Sequence, residues 1–199
     1  MTMLSQQAVS TVAPQNAVPA LKTERLVLRA PRADDAAAMT RLLADRRIAI
    51  NTARIPYPYA IADAEQFIAS VNLLDGEATF VVTLDAMPIG VCGVEPREGG
   101  PEIGYWIGVS HWGQGYATEA VRALIDHAFT DLAHETLQAG TRVSNPASRR
   151  VLEKCGFQWT GVRLSRIRAI NSAAPTDRYR LDRRLWLSLK SWSCAGRVA

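Results

Sequence analysis

The residues best suited to chemistry stand in one run, His111-Trp112-Gly113-Gln114-Gly115-Tyr116-Ala117-Thr118. It joins a strand-like stretch, Glu102 to Val109, to a helix-like stretch, Thr118 to Leu132. Glycine lacks a Cβ and tolerates positive φ, so a Gly-x-Gly turn can direct consecutive backbone N–H groups inward. A helix starting there adds unpaired amides and the positive end of its dipole. The chemistry on offer is anion binding, and a phosphate fits it; a plain tight turn fits the same residues. The residues around the glycines separate the known kinds of phosphate site. A P-loop ends in Gly-Lys-Ser/Thr, and this run has no lysine. A dinucleotide fingerprint needs a third glycine where Thr118 stands and an acid ending the next strand, whereas Glu135 precedes that strand. A cradle for the pyrophosphate of an acyl-CoA is left, and it makes a demand on a second stretch.

That stretch is Asn145-Pro146-Ala147-Ser148-Arg149-Arg150-Val151-Leu152-Glu153-Lys154-Cys155-Gly156-Phe157. The order of strand, Gly-x-Gly-x-Ala, helix, strand, then Asn-x-x-Ser ahead of Glu-Lys-x-Gly-Phe resembles the GNAT superfamily of acetyl-CoA-dependent N-acyltransferases. Glu102-Ile103-Gly104-Tyr105-Trp106, followed by Trp112 to Ala120, is similar to the branch that includes the ribosomal-protein N-terminal acetyltransferases. Trp112 stands where the wider superfamily has Gln or Arg, as is usual in that branch. The resemblance runs from about Leu21 to Leu189. It implies an α/β (α+β) GNAT fold, a single mixed, mostly antiparallel twisted sheet of about seven strands flanked by about four helices and splayed at the acetyl-CoA site.

The resemblance also implies roles for residues. Acetyl-CoA would be held by Gly113, Gln114, Gly115, Tyr116, Ala117 and Thr118 at the pyrophosphate, by Ile107 and Val109 along the pantetheine arm, and by Asn145. Asn145 is equally a good N-cap. Arg149 and Arg150 stand close in sequence to that site, near enough to approach the 3′-phosphate or simply to face solvent. Arg54, Tyr57, Tyr59 and Tyr105 fall where acceptor contacts are expected, with packing as the other role for the tyrosines. An amine is mostly protonated at neutral pH, so a carboxylate is needed to take a proton, and Glu102, ahead of Glu95, is the favoured one. Many GNAT enzymes protonate the departing thiolate with a tyrosine, but Leu152 occupies that position here. Ser148 is then the replacement acid, directly or through a water, unless it only fills a helix start. The activity implied is acetyl transfer to a primary amine, a protein N-terminus or a small molecule, without a covalent enzyme intermediate. A non-catalytic acyl-CoA-binding sensor is the alternative that the missing tyrosine suggests.

The rest of the chain must position these groups. With 199 residues and 48% hydrophobic content it can bury one sizeable core. The expected layout is a tail over residues 1–20, one acetyltransferase domain over 21–192 and a short tail over 193–199. The first twenty residues lack charge and a signal-peptide pattern. No apolar run reaches the roughly 18 residues that span a bilayer, so a soluble protein with no membrane contact is expected. Three cysteines with no metal-like spacing fit reduced cytoplasm and no metal. From Arg163 onward nine Lys/Arg stand against two Asp/Glu. Without a nucleic-acid motif this reads as a basic strand pair and not a nucleic-acid surface; a homodimer is compatible with the sequence.

Periodicity and breakers give the elements. A first strand centres on Leu26-Val27-Leu28, a helix runs from Pro31 or Asp35 to Leu43, Asn51 to Tyr59 is irregular, and a second helix covers Ala62 to Val71. Thr79 to Leu84 and Ile89 to Glu95 form a hairpin about Asp85-Ala86-Met87-Pro88. Ala117, Val121, Leu124, Ala128 and Leu132 make one helical stripe. Leu137 to Val143 is a strand, and Pro146 to Cys155 a short helix ended by Gly156. Gln158 to Ile170 and Arg178 to Leu189 close the chain as a strand pair around an Asn171 to Thr176 loop.

Overall fold

The computed structural model describes residues 18–73 and 76–195. The expected tails lie outside them over residues 1–17 and 196–199. Among the described residues one sheet holds β1 (Leu21–Lys22), β2 (Val27–Arg29), β3 (Ala78–Leu84), β4 (Met87–Glu95), β5 (Glu102–Ile107), β6 (Thr136–Arg142), β7 (Gln158–Ile167) and β8 (Ser172–Asp182). The helices are α1 (Ala36–Leu43), α2 (Arg46–Ala49), α3 (Ile61–Ser70), α4 (Tyr116–Thr130), α5 (Pro146–Lys154) and α6 (Arg183–Ala195). The strand order is β1-β2-β3-β4-β5-β6-β8-β7, and every pairing is antiparallel except β5 with β6. The expected mixed, mostly antiparallel sheet is therefore present. It has eight strands where seven were expected, the extra one being the two-residue β1, and α2 and α6 join the four expected helices.

β3 and β4 are buried on both faces, which explains why they read as nearly continuous apolar runs and do not alternate. Their turn is tight because Asp85 and Ala86 both take positive φ, 47° and 65°, the twist a two-residue hairpin needs. Pro88 is admitted into β4 beside a register shift between Val82 and Thr83. On one face of the sheet the α4 residues Val121, Leu124 and Ala128 are buried with Phe80, Val94, Ile103 and Leu137. Ala117 and Leu132, the ends of the expected stripe, are partly buried against that cluster. The other face carries a smaller cluster, Ala36, Met39, Ala64, Val81 and Val91, with Tyr59, Phe67 and Trp106 against it. The sheet thus separates two layers, α4 and α5 on one side and α1 and α3 on the other.

The C-terminal expectation is corrected. β7 and β8 turn through a 3-10 segment, Arg168–Ile170, and Asn171 at φ 47°, so Ser172 to Thr176 belong to a strand and not to a loop. Arg183–Ala195 is a helix and not the second strand. A strand would put Leu185 and Leu187 on one face and Trp186 on the other. Instead the consecutive Leu185 and Trp186 both pack on the main core, Trp186 with its ring centroid 5.1 Å from that of Phe129 and its Nε1 donating to Asp126 Oδ1 at 2.8 Å, while Leu187 is 53% exposed. A single indole seat on α4, unseen in the local pattern, decides between the two periods.

That seat is testable. Truncating a buried tryptophan costs about 3 kcal/mol or more. Trp186→Ala should therefore lower the unfolding free energy by about 3 kcal/mol in urea titrations, and a loss under about 1 kcal/mol would mean that α6 is not held by this contact.

Candidate active site

β5 and β6 pair at only two positions, Glu102↔Gln138 and Ile103↔Ala139. Beyond Ile103 the strands part. β5 keeps its antiparallel ladder with β4 up to Gly90↔Ile107, and the Gly108 N–H donates to Ile89 O at 2.8 Å. Backbone groups alternate sides along a strand, so those of Tyr105 and Ile107 turn toward the gap. Trp112 closes one of them, its Nε1 donating to Ile107 O at 2.7 Å. The Ile107 N–H is left facing the gap. Val109 lies past the strand end in a 3-10 turn, where its carbonyl accepts the Trp112 N–H at 3.2 Å.

The glycine loop opens at the far end of β5. Gly113 and Gly115 have φ of 76° and 85°, Gly115 being the N-cap of α4. The first helical bond of α4 runs from Glu119 N–H to Gly115 O, so Tyr116, Ala117 and Thr118 keep amides with no helical acceptor. A Cβ built on Gly113 would meet nothing within 4 Å, whereas one on Gly115 would come within 3.3 Å of Arg25 Nη2. The loop is an open concavity of backbone donors at a 15-residue helix, and it fits a pyrophosphate.

Glu119 in the first turn of α4 would repel such an anion, but the fold ties it up. Its Oε1 accepts from Thr23 Oγ1 at 2.6 Å and the Arg25 N–H at 2.8 Å, and its Oε2 from Arg25 Nε at 2.7 Å. Burial pushes the carboxyl pKa up, yet those bonds and the Arg25 charge outweigh it, and the net shift is downward. Arg25 also donates to Gln114 O at 3.0 Å and lies 4.6 Å over the Tyr116 ring. Sequence reasoning missed Arg25 and Glu119. The available signal was charge: an acid beside an expected phosphate calls for a cation elsewhere.

On the same side of the sheet, α5 starts at Asn145, whose Oδ1 accepts the Ser148 N–H at 3.1 Å. This N-cap leaves the Asn145 amide nitrogen for a ligand. Ser148 Oγ is 2.8 Å from the Tyr105 hydroxyl, which is also 3.2 Å from Ser148 O. Burial drives the Tyr105 pKa up despite the bond to Ser148, so its hydroxyl stays protonated. When Tyr105 donates to Ser148 Oγ, the serine hydrogen is free to point into the gap. Leu152, the position of the absent tyrosine, is fully buried in the main core. Arg149 is held by Asp177 at 2.6 Å, while Arg150 lines the cleft.

A cleft of about 1700 Å³ runs through the gap to the opposite face. Arg54, Tyr59, Glu95, Glu102, Trp106 and Arg178 line it there. Glu102 takes Arg178 Nη2 at 2.6 Å, and Glu95 accepts from both Arg54 and Arg97, the latter at 2.6 Å. Each candidate base is thus ion-paired and reaches an incoming amine by exchanging a guanidinium contact or through water. Burial and Asp63 push the Tyr59 phenol up to about 12. Tyr57 is exposed near Arg46 and is not among the cleft residues, and neither are Gln114 and Val109, although Gln114 belongs to the braced loop. Cys92 and Cys155 are free and buried; burial pushes their thiols up to about 12 and about 11, the second against the Arg122 charge, so neither is an activated nucleophile. Among the described residues no cluster of His, Cys, Asp or Glu could hold a metal, and no helix is long and apolar enough to cross a membrane.

A sheet parted beside a helix start that fits a phosphate, with a hydroxyl pair beneath the gap, is an arrangement suited to acyl transfer. The chain belongs to the GNAT acetyltransferases, whose domain model, "Acetyltransferase (GNAT) domain", matches residues 25–158. It is 33% identical over 150 residues to the N-acetyltransferase p20 of Bacillus licheniformis, covering 71% of this chain and 84% of that one. A shorter match, 39% over 64 residues, joins 32% of this chain to 36% of the ribosomal-protein-serine acetyltransferase of Escherichia coli K12. The structure of Mycobacterium smegmatis RimJ in complex with CoA-disulfide superposes with a TM-score of 0.71 at 22% identity, over 80% of this chain and 82% of that one. The fold is therefore shared with RimJ, and the protein is an acetyltransferase.

Because the Gly113 Cβ would meet no protein atom, Gly113→Ala separates folding from ligand binding. Alanine at positive φ costs about 1–2 kcal/mol of stability. If the loop cradles a pyrophosphate, the methyl group should also weaken CoA binding by about tenfold or more in calorimetry on the folded variant. Full affinity would place the pyrophosphate elsewhere.

Proposed function

We propose that this chain transfers the acetyl group of acetyl-CoA to a primary amine, a protein N-terminus or a small molecule, by direct attack on the thioester. The observation that carries the reading is the Tyr105–Ser148 hydroxyl pair, 2.8 Å apart, on one side of the parted strands, with Glu102 on the other side. Acetyl-CoA, when bound, supplies an activated acyl carbon. The glycine loop and Asn145 hold the nucleotide end, and the Ile107 N–H is placed to donate to the thioester oxygen as negative charge builds. The acceptor enters from the α1–α3 face, and holding both reactants in register supplies most of the acceleration.

Two protons must move. The acceptor arrives as an ammonium, with a reference pKa near 10 for a lysine and about 8 for an α-amino group, so an N-terminus loses its proton more readily. Glu102 takes that proton through a water, its carboxylate remaining against Arg178. Ser148 gives its hydroxyl proton to the departing sulfur while Tyr105 donates a hydrogen bond to Ser148 Oγ, and the second proton shed by the nitrogen passes through water to restore the serine hydroxyl. The sensor alternative rested on the missing tyrosine at Leu152. Tyr105 brings a phenol to Ser148 from β5 instead, which supports a catalytic reading.

A mass-spectrometric screen of peptide N-termini, polyamines and amino acid amides with acetyl-CoA tests the activity, and acetylation of none of them would sink it. With an acceptor in hand, Ser148→Ala should lower kcat about 10²-fold, about 2.7 kcal/mol, with little change in CoA affinity. Tyr105→Phe should lower kcat by a smaller factor, since Ser148 keeps its own hydroxyl. Weaker CoA binding with normal kcat in Ser148→Ala would reduce that residue to a helix-start role.

A further inference from the structure

On the acceptor side of the cleft, positive charge exceeds what the fold uses. Glu95 and Glu102 are engaged by Arg54, Arg97 and Arg178. Asp63 accepts the Ala60 N–H at 2.9 Å, and Glu98 sits in the turn after β4. Against these, Arg142, Arg163 and Arg168 line the cleft with no carboxylate partner among the described residues. The register places two of them together. Arg142 on β6 and Arg163 on β7 both stand opposite Thr176 on β8, so their side chains leave the same face of the sheet on either side of one strand. Ser165, two residues beyond Arg163, shares that face. Its Oγ and the Arg142 Nε are both buried without a hydrogen-bond partner. Buried donors are nearly always satisfied, and here two of them lie beneath the cleft wall on the sheet face that carries the exposed Arg163.

We infer that this row is an anion site, and that the acceptor is an amine carrying a carboxylate or a phosphate. The anion accepts from the exposed Arg163 guanidinium, and a side-chain shift of Arg142 and Ser165 on binding opens their buried Nε and Oγ to it as well. Thr176 lies two strands from β5 with the parted β5–β6 interval between them, so the anion sits at least about 10 Å from β5, where the amine reacts. An extended peptide advances about 3.3–3.6 Å per residue, so an acidic side chain near the third position of an N-terminal segment spans that distance. A small amine with a six-carbon tether to a phosphate also spans it. The inference rests on the reading that an amine attacks the thioester in the gap.

Two matched pairs test it: Ser-Ala-Asp amide against Ser-Ala-Asn amide, and aminohexyl phosphate against aminohexanol, each with saturating acetyl-CoA and thiol release as the readout. The anionic member of at least one pair should be favoured by about tenfold or more in kcat/KM, mainly through KM. The pair that shows the preference identifies a peptide or a small-molecule source. In Arg163→Gln, whose side chain is exposed and bears no fold contact, that ratio should collapse toward unity with the KM for acetyl-CoA unaltered. Equal use of both members in both pairs, or a preference that survives Arg163→Gln, overturns the inference. If no acceptor is acetylated, the activity reading is what has failed. Calorimetric titration with N-acetyl-Ser-Ala-Asp amide and its Asn counterpart, in the presence of CoA, then decides separately: tenfold tighter binding of the Asp peptide that is lost in Arg163→Gln upholds the anion site, and equal binding removes it.

Discussion

The parting of β5 from β6 is the constraint on which the rest of the molecule depends. Two parallel strands that share only two register pairs leave backbone groups in mid-sheet without a ladder partner, a costly state unless something else meets them. The protein meets one internally, through the Trp112 indole on the Ile107 carbonyl, and leaves others facing the cleft. The strands can separate there because each is anchored on its far side. β5 is laddered to β4 along its whole length, and β6 to β8 over seven pairs from Thr136↔Asp182 to Arg142↔Thr176. The gap is a discontinuity held open between two continuous half-sheets.

Placing a passage through the sheet divides the chemistry by face. Loop, helix start and hydroxyl pair lie on the α4–α5 side, while carboxylates and arginines lie on the α1–α3 side. In the proposed reaction neither half suffices alone, and the two reactants meet at the gap. The division also keeps charges of opposite purpose apart. The cradle offers backbone dipoles and no lysine, and the acid in the first turn of its helix, Glu119, is paired with Arg25 from before β2. The acceptor side is built from paired carboxylates and a surplus of guanidinium groups.

In the proposed mechanism the pairing of Tyr105 with Ser148 takes the place of a lost residue type. The helical position that usually carries a tyrosine holds a core leucine, fully buried with Phe157 and Tyr179. The phenol comes instead from the central strand and meets the same helix one turn earlier. Burial keeps that phenol protonated, so it can donate a hydrogen bond to Ser148 and does not act as a base.

Much of this was legible in the amino-acid sequence, and the reason is that local demands left local marks. Positive φ at Gly113 and Gly115 requires glycine, an N-cap at Asn145 before Pro146 marks a helix start, and a stripe at Val121, Leu124 and Ala128 marks the packed face of α4. These fixed the order of strand, glycine loop and helix, and the family resemblance that carried the sheet. What the sequence could not show were relations between residues far apart in the chain. Arg25 reaches Glu119 across 94 positions, Arg178 claims Glu102 across 76, and Arg142 and Arg163 share a sheet face only because both stand opposite Thr176. The C-terminal segment makes the same point most plainly. Leu185, Trp186, Leu187 and Leu189 suit a strand or a helix by composition, and a seat for one indole between Asp126 and Phe129 decides for the helix. Local conformational preferences are worth tenths of a kcal/mol per residue, whereas burying one tryptophan is worth several, so tertiary packing decides wherever the local signal is divided.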